Sequence, residues 1–150
     1  MGLTPHFSLE DLTRSQTAAR LGIDNTPPKE VVGQLTALCV QLLEPTQALL
    51  GVPLHIDSGY RSPALNAAVG GASSSAHLDG RAADAVPIGL DLQTAFNQIR
   101  SSPLPFDQVI FECHAWIHLA LPRPGTAPRR QALMASGGPG AWRYQLVPHG

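Results

Sequence analysis

Ser75-Ala76-His77-Leu78-Asp79-Gly80-Arg81-Ala82-Ala83-Asp84 is the stretch on which the reading of this chain turns. A neutral imidazole and a carboxylate are both good ligands for zinc, which in a catalytic site takes three protein ligands and keeps one position for water. Gly80 admits a turn with positive φ, so a loop histidine and a strand aspartate can converge on one ion. The pattern predicts a strand over 82–86, with Ala82, Asp84 and Val86 on one face; the small Ala82 then leaves space beside the metal. A third ligand must come from elsewhere, and Trp116-Ile117-His118-Leu119-Ala120 offers one. As a strand it sets Trp116, His118 and Ala120 on one side and Ile117, Leu119 and Leu121 on the other.

Outward from this centre, the N-terminal third reads as helical. Ser8 caps a helix over Leu9 to Leu21, with Asp11 in the capping-box position, Phe7 and Leu12 as a staple and Gly22 as its stop. Thr26 and Pro27 read as the cap and first residue of a second helix. Its core face repeats at Val31, Leu35, Leu38, Cys39, Leu42, Leu49 and Leu50, and Pro45 is expected to kink it. Strands are expected at 54–57, 106–111 and 116–121, and a last one at 143–147. Ser62-Pro63 begins a short helix ending at Gly70-Gly71, Ala72 to Ser75 is a small-residue loop, and Asp91 caps a helix carrying Leu92, Ala95, Phe96 and Ile99. Helices early and strands late imply an α+β domain: a small, mostly antiparallel sheet backed by N-terminal helices. The 150 residues fit one domain, with a core over about 7–121 and a Pro-, Gly- and Arg-rich tail over 122–150.

Composition narrows the function. Charged residues make up 14% of the chain and the formal net charge is −1, which gives no electrostatic case for nucleic acid or an anionic membrane. No apolar run approaches the ~20 residues of a membrane span. Met1 to Phe7 lacks the basic and apolar regions of a secretory signal, so cytoplasmic synthesis is expected, with any cell wall reached by another route of export or release. A monomer is expected. Cys39 and Cys113 make no disulfide framework; Cys39 reads as a buried hydrophobe.

The segments Ser58-Gly59-Tyr60-Arg61-Ser62-Pro63, Asn66, Val69-Gly70-Gly71, Ser75 to Asp84 and Trp116-Ile117-His118 together resemble the zinc D-Ala-D-Ala carboxypeptidase family. That family shares its fold with the Hedgehog signalling domain and includes phage cell-wall endopeptidases. The likeness runs from about Phe7 to Leu121 and is nearest to the short phage-type branch. Ser75, His77, Gly80, Ala82 and Asp84 would coincide by chance on the order of once per million positions. The resemblance implies a Hedgehog/DD-peptidase fold, Zn2+ held by His77, Asp84 and His118, and Arg61 as a substrate-binding group. It implies the peptidoglycan stem peptide as substrate. Arg61 would clamp a carboxylate or stabilise an oxyanion, Ser75 would orient His77 or the substrate, and Trp116 would wall the cleft.

The general base is open between two residues. Some members of the family place Glu three residues before the last histidine, where this chain has Ala115; Glu112 matches the phage-type branch, and His114 is its rival. Glu112 is favoured. Other polar groups read more plainly: Asp79 as an exposed loop carboxylate, Asp107 as structural, and His6 and His55 as structural or solvent-facing, with His149 at the terminus. Trp142 and Tyr144 suit glycan, though core packing of a last strand is the better reading. The expected activity is zinc-dependent hydrolysis of a peptide bond in peptidoglycan, by a stem endopeptidase or D,D-carboxypeptidase. The alternatives are a D-Ala-D-Ala dipeptidase and a non-catalytic, zinc-containing wall-binding module.

Overall fold

Ser8 opens the first helix through the expected capping box: its hydroxyl accepts from the Asp11 amide at 3.1 Å, and the Asp11 carboxylate accepts from the Ser8 amide at 2.9 Å. The computed structural model describes residues 2–138 and 141–148, so His149 lies outside the described residues. The single helix expected over Leu9 to Leu21 is two. Helix α1 is Leu9–Thr13 and α2 is Gln16–Leu21, because the Ser15 hydroxyl takes the Ala18 amide and caps a new start. The next helix, α3, begins later than Thr26 suggested, at Lys29–Leu38, with Pro28 in the cap position. It passes through a π turn at Cys39–Leu43 into α4, Glu44–Leu50. Pro45 falls in the first turn of α4, so the π turn absorbs the break and the rod continues.

The remaining elements are β1 (Leu54–Ser58), α5 (Pro63–Ala68), a 3-10 turn (Ala76–Asp79), β2 (Ala82–Pro87) and α6 (Leu92–Arg100), then β3 (Gln108–Glu112), β4 (Trp116–Ala120), β5 (Gln131–Ser136) and β6 (Arg143–Leu146). The strands form one sheet in the order β1-β2-β4-β3-β5-β6. Every neighbouring pair is antiparallel except β3 with β5. The α+β architecture expected from the sequence is therefore observed. The 122–150 segment differs from the expected tail: β5 lies within it and pairs with β3, the strand that ends at Glu112. Gln131-Ala-Leu-Met-Ala-Ser contains no β-branched or aromatic residue, so its strand character comes from pairing and not from propensity.

Strand parity divides the sheet into two unlike faces. Ala83, Ala85, Val109, Phe111, Ile117, Leu119 and Ala132 join the core formed with Leu35, Leu38, Leu42, Phe96 and Ile99 of the helices. Phe96 and Phe111 meet edge to face, with centroids 5.6 Å apart. Helices of five to ten residues are marginal alone. Burial of each large apolar side chain, at about 1.5–3 kcal/mol, is what holds them on this face. The opposite face carries Asp84, Ile110, Glu112 and His118, and the site is built there.

Gly59, just after β1, is where the two halves of the fold meet. A Cβ on Gly59 would lie 2.3 Å from the Leu12 carbonyl oxygen, and the Tyr60 amide donates to that same oxygen at 2.7 Å. Gly80 takes φ +76, as the turn reading expected, and packs against Val31 and Leu35. Because the Leu12 contact is backbone on backbone, Gly59→Ala cannot be relieved by a rotamer change. It is expected to destabilise the fold by about 3 kcal/mol, read as a lowered denaturation midpoint in urea. A midpoint unchanged within error would show that the Leu12 contact is not a constraint.

Candidate metal centre

The three residues expected to meet do meet. His77 sits in the 3-10 turn, Asp84 in the middle of β2 and His118 directly opposite it on β4. Their ligand atoms all lie within 4.8 Å of one another, and all three side chains are buried. Asp84 Oδ1 is 3.3 Å from His77 Nε2 and 3.0 Å from His118 Nδ1, so one carboxylate oxygen faces both rings. The imidazoles approach at an angle of 64°.

The local sequence sets these orientations. The Ser75 hydroxyl accepts from the His77 amide at 3.2 Å and begins the turn, and Gly80 ends it in the left-handed region. His77 Nδ1 lies 2.7 Å from the Gly59 carbonyl oxygen. A carbonyl only accepts, so Nδ1 carries the proton and Nε2 keeps its lone pair toward Asp84. Burial holds the His77 imidazole below its ordinary pKa against the pull of Asp84, which keeps it neutral. Burial would raise the Asp84 carboxyl, but the charges and hydrogen bonds of His77 and His118 overcome it and keep Asp84 ionised. For His118, burial is outweighed by its hydrogen bond to Asp84 and by the charges of Asp84 and Glu112, and its pKa rises. A locked neutral imidazole, an ionised carboxylate and a second imidazole are a donor set that fits zinc.

Glu112 and His114 are separated by the turn between β3 and β4. Glu112 ends β3 on the metal face, with Oε1 3.9 Å from His118 Nδ1 and Oε2 accepting from the Trp116 indole at 2.9 Å. Burial, helped by the charge of Asp84 and resisted by that of His118, pushes its carboxyl up to about 7. Cys113 and His114 take φ +52 and +56, and this turn directs the His114 ring onto Phe111, edge to face at 4.8 Å, on the helix side of the sheet. Glu112 thus stands beside the cluster and His114 does not.

Arg61 lines the same cleft as His77, Asp84, Glu112 and His118, a concavity of about 1430 Å³. Its Nε is buried without a hydrogen-bond partner among the described residues, and no carboxylate there comes within ion-pair distance of its guanidinium. Burial lowers its pKa, with Asp84 and Glu112 opposing. A Cβ on Gly71 would come within 2.8 Å of an Arg61 terminal nitrogen and 2.1 Å of Asn66 Oδ1, which is also buried without a partner. Gly71 therefore leaves room for these two polar groups.

The remaining residues fall into place around this centre. Asp79 is exposed, as expected, and pairs with Arg81 at 2.8 Å. Asp107 receives Arg129 through both carboxylate oxygens, tying the start of β5 to β3. His6 pairs with Glu44, and His55 pairs with Asp57 on the wall of the same cleft; neither histidine joins the cluster. The sequence reading gave no role to Asn25. Its side chain donates to the Thr13 and Tyr60 carbonyls and accepts from the Ser62 amide at 2.8 Å, clamping the loop that carries Arg61. An Asn before Thr-Pro-Pro looks like ordinary turn chemistry, so only the long-range contacts distinguish it.

No curated protein matches this chain. A family model described as Peptidase M15 matches residues 5–120, the span that contains α1, both histidines, Asp84, Arg61 and Glu112. By that match and by the geometry of its site, the chain belongs to the Peptidase M15 family of metallopeptidases.

Proposed function

We propose that this protein hydrolyses a peptide bond in the peptide portion of bacterial peptidoglycan, with zinc held by His77 Nε2, Asp84 Oδ1 and His118 Nδ1. The observation that carries the reading is Glu112 beside that cluster, with Arg61 half-buried in the same cleft and its Nε without a hydrogen-bond partner among the described residues. Bound zinc supplies a Lewis acid that polarises a carbonyl and acidifies a water molecule. Glu112 holds one oxygen on the Trp116 indole and keeps Oε1 for proton transfer. It takes a proton from the attacking water and returns it to the amine that leaves. His77 stays neutral through its burial, with its Nδ1 proton held on the Gly59 carbonyl, so it does not compete for that proton.

Arg61 supports a substrate with a carboxylate near the scissile bond. A half-buried guanidinium whose Nε has no partner among the described residues gains from an incoming anion, and its planar fork suits a bidentate carboxylate. Peptidoglycan stem peptides carry such groups. A cleft of about 1430 Å³ is larger than most small-molecule sites, which favours a stem-length substrate, cut as an endopeptidase or D,D-carboxypeptidase would cut it, over a free dipeptide. Glu112 in place favours an enzyme over a zinc-containing binding module. The wall would be met after release or export of the protein.

Mass spectrometry of fragments released from purified peptidoglycan tests the reading. Peptides should be released by the zinc-loaded protein, lost on chelation and restored by zinc. A metal-replete protein that releases none from walls of several chemotypes would overturn it. Zinc at about 100 times its Kd should stabilise the fold by about 2.7 kcal/mol, and Asp84→Ala should abolish that shift in a thermal melt. Glu112→Gln should keep stoichiometric zinc while kcat falls at least about 100-fold. Arg61→Lys keeps the charge but not the fork; it should raise KM by about tenfold or more for substrates with a free carboxylate, and leave zinc content unchanged.

A further inference from the structure

The face of the sheet that carries the metal cluster continues beyond it. In register, Asp84 lies opposite His118, His118 opposite Ile110, Ile110 opposite Leu133 and Leu133 opposite Leu146. One rung along, Trp116 faces Glu112, Glu112 faces Ala135 and Ala135 faces Tyr144. Directly opposed residues share a face, so these side chains look out on the side of the site, away from the helices. Ile110, Leu133 and Ala135 form an apolar floor with Trp142 packed on it. The Tyr144 ring lies 6.4 Å from that of Trp142, inclined by 29°, and both rings line the cleft that holds His77 and His118. Core packing accounts for Trp142. It does not account for Tyr144, which is 55% exposed on this face.

We infer that Trp142 and Tyr144 form a ledge that binds a pyranose ring of the aminosugar chain to which the substrate peptide is attached, an inference that rests on the peptidoglycan reading above. A pyranose presents a flat C–H face and a polar rim. An open aromatic pair takes the face and leaves the rim in water, whereas an aliphatic side chain gains most from an enclosed pocket. The distances suit one substrate. β5 and β6 lie two and three strands from β4, about 10 and 14 Å at ~4.8 Å per strand. An extended peptide covers ~3.4 Å per residue, so a sugar on the ledge stands about three to four residues from the bond at the metal. Arg61 follows β1, at the other end of the strand order, so the carboxylate and the sugar of one substrate fall on opposite sides of the cluster. The family match ends at residue 120, so the ledge lies on the part of the chain beyond it.

The test compares two probes, a disaccharide-pentapeptide from peptidoglycan and the same pentapeptide freed of its sugars. Binding is measured by calorimetry on the full chain, zinc-loaded and carrying Glu112→Gln so that neither probe is cut. The sugar-bearing probe should bind about five- to tenfold more tightly. Adding Tyr144→Ala, at an exposed site, should abolish that preference and leave affinity for the free peptide unchanged, while Tyr144→Phe should retain it. Equal affinity for the two probes, a preference that survives Tyr144→Ala, or no binding of either would overturn the ledge. Failure of the peptidase reading has a separate signature: the wild-type, zinc-loaded protein leaves both probes intact while the Tyr144-dependent preference persists.

Discussion

The hydrogen bond from His77 Nδ1 to the Gly59 carbonyl, 2.7 Å long and buried, is the interaction on which the site depends. It fixes which imidazole nitrogen keeps a lone pair, and it joins two loops far apart in sequence. The junction is reciprocal, because the Arg61 amide donates to the His77 carbonyl at 3.1 Å. The loop that carries Arg61 and the turn that carries His77 are therefore tied to each other by two hydrogen bonds. Gly59 makes this close approach by lacking a side chain that would strike Leu12, and α1 is thereby tied to chemistry in which it takes no direct part.

Around that junction the cleft concentrates charge where the rest of the chain has little. Asp84, Glu112, His77 and His118 are buried with Arg61 half-buried beside them; the two histidines shift Asp84, and Asp84 and His118 shift Glu112. Buried charges are costly unless paired, and a divalent cation among these donors would offset the cost at Asp84, as an anion would at Arg61. Trp116 restrains Glu112 through one oxygen, so the other approaches His118 without collapsing onto it. The chemistry rests on small differences in how each carboxylate is held.

The sheet assigns labour by parity. Its helix-covered face is apolar and supplies stability; its open face holds the cluster and, across β3, β5 and β6, the aromatic ledge. Because β5 pairs in parallel with β3, it continues the sheet beside Glu112, and the hairpin that follows widens the cleft. The residues that bind and the residues that fold the domain alternate along the same strands.

Local chemistry made much of this legible without coordinates. The cap at Ser8, the turn at Gly80, and the strand parity that put Asp84 and His118 on one face depend on neighbours within a few residues, so the sequence by itself determined them. The grouping of His77, Asp84 and His118 follows, since the first two lie seven residues apart and the third stands out as a histidine on an apolar strand. Other features needed the fold. The break between α1 and α2 turned on a serine that looks equally at home inside a helix, and β5 has no strand-forming residues of its own. Asn25 looked like turn chemistry until its three partners were in place. Glu112 and His114 are two residues apart, and only the left-handed turn at Cys113 and His114 decided which of them reaches the cluster. Short-range geometry is written in residue types; long-range pairing depends on which surfaces the packed chain brings together, and that is a property of the tertiary structure alone.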